Sequence, residues 1–402
     1  MPKDYSPFTP GQPVPEEFFV GRRAEVERLL AMTEAATVGR LKVAYLAGER
    51  GIGKSSLASI VRFIATRQKG LLGLHTFMGG VSSLDEMVRR VVDRLLKESA
   101  DKSWFGHVTD LFGKHVKEVG LFGVNFELDV PSQVLTLLAH DFVQTLRDLT
   151  SRLKDDRTGL FVVLDDINGL ASSREFANWV KSLVDDIATS GSPIPLCLLL
   201  VGLEERRQSL ISLQPSLARV FELVDIRTWN SEDTRRFFEN AFAKVKVPID
   251  ERARDLLVQF AGGLPVLAHE IGDAVFKSDT DNRIDEADAS EGILAAADVV
   301  GRKHLEPQVF AAIRSERYRG ILRKLAMPDP VEMTFKRADL LGQLSNEEAR
   351  VLDNFLGKMK DLNVLKAHPE GGRGTYQFSN QLHRLYFFME AQRARSAPEP
   401  TT

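Results

Sequence analysis

The sequence predicts an α/β fold: a parallel sheet with helices on both faces, then an all-helical stretch, then a small C-terminal unit of helices and a hairpin. Three observations carry this. Short, nearly continuous apolar runs at residues 41–47, 71–78, 160–164 and 194–203 have the length and character of strands buried on both faces of a sheet. Between them, apolar residues recur at helical spacing, as in Leu57, Ile60, Val61 and Ile64. Beyond residue 229 the buried-strand runs give way to successive amphipathic helices.

Composition limits the classes open to such a chain. At 402 residues it exceeds one ordinary domain, and its 43% apolar and 27% charged content is that of a globular protein. The longest apolar run, residues 194–203, is too short to span a bilayer, so no membrane partner is expected. The opening "MPKDYSPFTPGQPVPEEFFV" lacks the apolar centre of a secretory signal. The one cysteine, Cys197, lies inside an apolar run and reads as a buried small hydrophobe, which suits a reducing cytoplasm. Charge is uneven: residues 302–395 hold 17 Lys and Arg against 11 Asp and Glu, while residues 1–301 hold 36 against 44. The C-terminal quarter is where polyanion binding is to be sought.

The first strand, residues 41–47, runs into "GERGIGKSS" and then a helix. This is strand, G-x-x-x-x-G-K-S, helix. Gly48, Gly51 and Gly53 allow the main chain to close around phosphate, with Ile52 and Ser56 completing the loop. Amide N–H groups and the positive end of the following helix would solvate the anion. Lys54 would reach the β- and γ-phosphates, and the Ser55 hydroxyl would coordinate Mg²⁺. The strand at 160–164 ends in Asp165 and Asp166, where ligands collect in open parallel sheets. Asp165 is the candidate second metal ligand, and Asp166 the candidate to orient or deprotonate the attacking water. Read alone, the two acids also fit a solvated surface turn.

Neither an N/T-K-x-D guanine element nor an L-S-G-G-Q transporter signature is present, so adenine is the default base, bound as ATP or ADP. Upstream, "FFVGRRAEVERLL" has the form F-V-G-R-x-x-E leading into a helix. Here the chain resembles the AAA+ and STAND branches of P-loop ATPases. The resemblance implies a P-loop NTPase sheet followed by a helical lid and a C-terminal winged helix, with adenine held by the segment carrying Val20, Gly21, Arg22 and Glu25. Three helices are expected over residues 230–278: one capped by Asn230 or Ser231, one from near Asp250 to Gly262-Gly263, and one opening at Pro265. They look like the lid of these families, and Gly263-Leu264-Pro265 resembles the G-L-P motif whose proline lies near the nucleotide. The strand at 194–203 closes on Val201-Gly202, where relatives carry a polar sensor. Arg219 falls where relatives often place a nucleotide-reaching arginine; it also fits a solvated residue before a strand.

An insertion at about residues 101–132 contains Trp104, Phe105, Phe112, Phe122 and Phe126 and reads as a packing element or self-association surface. His107, Asp110 and His115 lack metal-site spacing. From residue 304 the expected order is a helix over 308–326, two helices through 337–362, and a hairpin with Gly371, Gly372 and Gly374 at its tip. This order is similar to a winged helix. If it meets duplex DNA, the 345–361 helix with Arg350 and Lys358 would enter the major groove, and Arg373 would meet the backbone or minor groove. Glu347, Glu348, Asp353 and Asp361 on that helix point the other way, towards use as an internal clamp. The expected division is a flexible segment 1–17, a nucleotide domain 18–228, a lid 229–303, a winged helix 304–392 and a disordered tail 393–402. The function implied is a slow ATPase that couples nucleotide state to DNA or a partner, in the manner of archaeal-type ATPases and replication initiators. The other reading is a signalling or defence ATPase that forms a homo-oligomer or recruits protein.

Overall fold

A computed structural model describes residues 5–12, 19–100, 102–112, 116–118, 126–128, 135, 138–139, 141–191, 193–327 and 332–396. In chain order the strands of the first half are β1 (Lys42–Ala47), β2 (Leu72–Phe77), a short antiparallel pair β3 (Val116–Glu118) and β4 (Phe126–Leu128), β5 (Leu160–Asp165), β6 (Leu196–Gly202) and β7 (Glu222–Asp225). Five of them form one all-parallel sheet in the order β2-β5-β6-β1-β7. α1 (Arg23–Thr37) precedes the first strand, and between the strands run α2 (Lys54–Gln68), α3 (Leu84–Ser99), α4 (Phe105–Phe112), α5 (Phe142–Arg152), α6 (Arg174–Thr189), α7 (Glu204–Leu213) and α8 (Leu217–Val220). The apolar runs are continuous because both sheet faces are covered: every residue of β5 and β6 is buried. Cys197 sits there, its thiol pushed up to about 12 by burial.

The chain divides into two compact units, Pro15–Arg227 and Met1–Val14 with Thr228–Thr402. In the first, Trp104 enters the core and the Arg157 guanidinium lies 5.6 Å over its ring. That places the start of the insertion in the packing of the sheet unit. His107 and Asp110 are exposed; His115 and Phe122 lie outside the described residues.

The second unit holds α9 (Ser231–Lys244), α10 (Glu251–Ala261) and α11 (Pro265–Ser278), the three helices expected over residues 230–278, followed by α12 (Glu286–Val300). Asn230 caps α9 through the Asp233 amide at 2.7 Å, and Asp285 with Asp288 makes a capping box on α12. A π-helical segment, Gly301–Phe310, follows, then α13 (Glu316–Ala326). The single helix expected over 308–326 is therefore broken: Ile313 turns inward to full burial and Ser315 takes an extended conformation that starts α13. The 345–361 helix is broken as well, into α15 (Asn346–Ala349) and α16 (Leu352–Asp361), after a short α14 (Arg337–Leu341). The break is a tight turn in which the Val351 amide donates to Glu348 O at 3.1 Å. A three-stranded antiparallel sheet of β8 (Thr334–Lys336), β9 (Leu365–Ala367) and β10 (Thr375–Phe378) has the order β8-β10-β9. The last helix, α17 (Gln381–Ser396), extends into the expected tail because Arg393 pairs with Asp298 and Glu390. Residues 397–402 lie outside the described residues.

Residues 5–12 also differ from the flexible lead-in expected of them. Phe8 is 4% exposed, with its ring 5.2–6.1 Å from those of Phe237, Phe238 and Phe242, and the Thr9 amide donates to His269 Nδ1 at 3.0 Å. A side chain at Gly272 would collide with the Phe8 ring at 2.3 Å. Among the described residues no helix is long and apolar enough to cross a membrane.

Candidate functional site

Parallel register brings the carboxyl ends of the strands to one edge. Ala47 stands opposite Gly202 and Asp225, and Asp165 opposite Phe77 and Val201. The loops that leave these ends are therefore neighbours, and they carry the glycine-rich stretch and the two acids predicted from sequence.

The glycine-rich loop is shaped by its own residues. Gly53, with φ 93°, is the residue before α2, and that left-handed conformation is accessible to glycine. At Gly48 a side chain would meet Ile226 O at 2.8 Å, so the backbone itself is the close neighbour there. Ile52 is buried and anchors the loop from below. The Leu57 amide bonds Gly53 O at 3.0 Å, where the ladder of α2 begins, so the first turn of the helix faces the loop with its amide end. Together with the helix dipole, this gives the loop a positive, amide-lined character. The Lys54 ammonium donates to Gly48 O at 2.8 Å and Glu49 O at 2.7 Å. Burial lowers its pKa, opposed by the nearby charges of Asp165 and Asp166. Ser55 is half-buried in the first turn, beside buried Ser56.

The segment before α1 touches this loop. Arg22, at φ 61°, donates to Ile52 O at 3.3 Å and lies 3.7 Å from Glu25. Val20 and Gly21 are half-buried immediately before it. The 20–22 stretch and the 48–56 loop are thus one cluster.

The two acids differ sharply. Asp165 is 2% exposed, with Oδ2 2.9 Å from His75 Nε2 on β2. Asp166 is exposed and left-handed at φ 59°, a strained conformation for a non-glycine residue. Its Oδ1 accepts from Asn168 Nδ2, while Asn168 Oδ1 accepts from the Leu203 amide at 3.4 Å, just past the end of β6. Sequence reasoning missed both His75 and Asn168. The available signals were a histidine inside an otherwise apolar strand and an asparagine two residues beyond a carboxylate. Where a sensor side chain was sought, Gly202 leaves no room for one: a Cβ there would lie 2.5 Å from Tyr45 Oη.

Arg219 is exposed on α8, and among the described residues no hydrogen bond or ion pair joins it to the loop. Pro265 opens α11 in the other compact unit, after Gly263, whose carbonyl accepts from the Trp229 amide at 2.8 Å. Arg350, Lys358 and Arg373 belong to that unit too.

The residues fit a nucleotide with its metal. An amide-lined loop and an ammonium depressed by burial suit an anion, and a half-buried hydroxyl with a buried carboxylate is an oxygen donor set of the kind magnesium takes. Fold and site together define a phosphate-loop α/β protein. Residues 19–199 match the family described as "AAA ATPase domain", and with this fold and site the match marks the chain as an ATPase. Among solved structures, the chain is similar to the Walker-type ATPase of Pyrococcus abyssi, at 16% identity over 92% of this chain and 96% of that one, with a TM-score of 0.57. It is also similar to the ORC2 protein of Aeropyrum pernix in its ADPNP-ADP complexes, at 14% identity over 98% of each chain, with a TM-score of 0.61. These likenesses are likenesses of fold. No curated protein matched the sequence.

Proposed function

We propose that the chain is an ATP-driven switch in which nucleotide state, read at the loop of residues 48–56, alters contact with duplex DNA through the C-terminal helices and hairpin. The observation that carries the nucleotide half is the meeting of that loop with Arg22, Asp165 and Asp166 at one edge of the parallel sheet. In this reading the 54–56 amides and Lys54 hold the phosphates, and Val20 and Gly21 border the base. Ser55 and Asp165 hold magnesium, which when bound offsets the charge of the β- and γ-phosphates. Asp166 orients or deprotonates the attacking water. Arg219, on the approach to β7, is assigned the nucleotide contact that the resemblance implies for it, and Pro265 opens a helix of the lid. The divisions 18–228, 229–303 and 304–392 are then nucleotide domain, lid and winged helix.

The DNA half is supported by how charges pair in the C-terminal unit. The acids that argued against a DNA face are largely engaged: Glu347 with Arg317 at 3.2 Å, Glu348 with Lys324 at 2.6 Å, and Asp353 with Arg337 at 2.8 Å. Among the described residues, no ion pair within 4.0 Å engages Arg350, Lys358, Lys360, Lys366 or Arg373. The helix and hairpin thus retain a surplus of free cations suited to phosphate.

Gel-shift titration of duplex DNA at two salt concentrations, with ATP and with ADP, tests the whole reading. Binding that changes with nucleotide, weakens with salt and loses about one unit of salt slope in Arg373→Ala is the expected result. Lys54→Ala should abolish the nucleotide dependence. DNA binding absent under all conditions, with ATP-induced self-association instead, would favour the signalling reading.

A further inference from the structure

We propose that His75 is a positioning residue for Asp165: its imidazole holds one carboxylate oxygen in place and keeps the other available to a magnesium ion. The inference rests on the reading of Asp165 as a metal-approaching acid, and goes beyond it by assigning a part to a residue on a neighbouring strand.

The geometry is set by the sheet. β2 and β5 are parallel neighbours with His75 opposite Val163 and Phe77 opposite Asp165, so His75 and Asp165 share a face, diagonally offset. Both side chains are buried, at 7% and 2% exposure. Oδ2 of Asp165 lies 2.9 Å from Nε2 of His75, and among the described residues no other side-chain hydrogen bond engages the Asp165 carboxylate. The ring is itself restrained, because Phe77 stacks on it at 4.8 Å and 25°. A carboxylate so held keeps one rotamer, with one oxygen committed and one free.

The sheet alone does not call for a histidine at this place. The rest of the strand is Leu72-Gly73-Leu74 before it and Thr76-Phe77 after it, and an apolar residue would fill the site without desolvating a ring nitrogen. A buried polar ring is explained by its partner, and the partner is the acid at the mouth of the loop. Outer-shell partners of this kind orient ligands, and removing them typically costs roughly 10- to 100-fold in metal affinity.

The test uses the full chain and a fluorescent ATP analogue, titrated with magnesium and, separately, bound in excess chelator. His75→Leu should raise the magnesium concentration at half-saturation by roughly tenfold or more while leaving metal-free affinity unchanged. His75→Gln, whose amide can reach the same carboxylate, should restore most of the shift. A His75→Leu midpoint equal to the parent's overturns the proposal. So does an equal shift in the Leu and Gln variants, which would mean the ring is needed for its shape. Asp165→Asn separates the two levels: if it leaves the magnesium midpoint unmoved, the metal reading of Asp165 itself falls. If it moves the midpoint and His75→Leu does not, only the part given to His75 falls.

Discussion

Gly202→Ala is predicted to destabilise the sheet unit through one atom, the Tyr45 hydroxyl. The new methyl would lie 2.5 Å from Tyr45 Oη and 3.4 Å from both Tyr45 Cζ and Ile167 Cγ1. Tyr45 cannot yield easily. It is fully buried on β1, the neighbouring strand, and its hydroxyl donates to Leu203 O at 3.0 Å. Burial raises the phenol pKa, so the donor proton is retained at any ordinary pH. Overpacking of this kind costs about 1–3 kcal/mol, and displacing the hydroxyl adds about 1 kcal/mol for the lost bond. Tyr45→Phe removes the obstructing oxygen at a cost of about 1–3 kcal/mol for the carbonyl left without its donor. In that background Gly202→Ala should become nearly neutral. Urea unfolding followed by circular dichroism on the parent, both single variants and the double variant closes the cycle. A coupling of about 2–4 kcal/mol is expected; additivity within about 0.5 kcal/mol would refute the reasoning.

Other outcomes follow from the same geometry. Asp166→Asn should keep nucleotide affinity while phosphate release falls by about a hundredfold or more, and Asn168→Ala should lower it in the same direction by less. Phe8→Ala should cost the helical unit about 3 kcal/mol, seen as a lower thermal midpoint, because the ring fills a site bounded by Phe237, Phe238 and Phe242. Burial holds His269 and His383 each at about 4, so both are neutral in the folded chain at pH 7. The unfolded chain binds their protons first, so stability is full above about pH 6.5 and falls towards pH 4, by about 2 kcal/mol per histidine at pH 5. His269→Asn should flatten that slope in unfolding measured between pH 7 and pH 5.

The parts of the site that sequence revealed are local. Gly53, Lys54 and Ser55 are adjacent in the chain, and a strand before and a helix after them suffice to place them. Asp165 was visible for the same reason, at the end of an apolar run. His75 was not, because its partner lies 90 residues away and only strand pairing joins them. Asn168 was hidden in plain sight: its role depends on a backbone amide at the end of another strand, 35 residues on. In the C-terminal unit the strand and helix order was legible, but the break at Arg350-Val351 was not, since neither residue is a helix breaker. The charge pairing was equally out of reach. Glu348 looks like a solvated acid in the sequence, and only folding brings Lys324 to it.

The burial of Phe8 bears on the order in which the protein can mature on the ribosome. Its ring is made early, yet the residues that receive it, Phe237 onwards, emerge only after the whole sheet unit has been translated. Until then an aromatic strap waits without a socket, and the helical unit cannot be finished from its own contiguous residues. Expressing residues 228–402 alone would leave that socket open, and supplying residues 1–14 as a separate peptide should close it again.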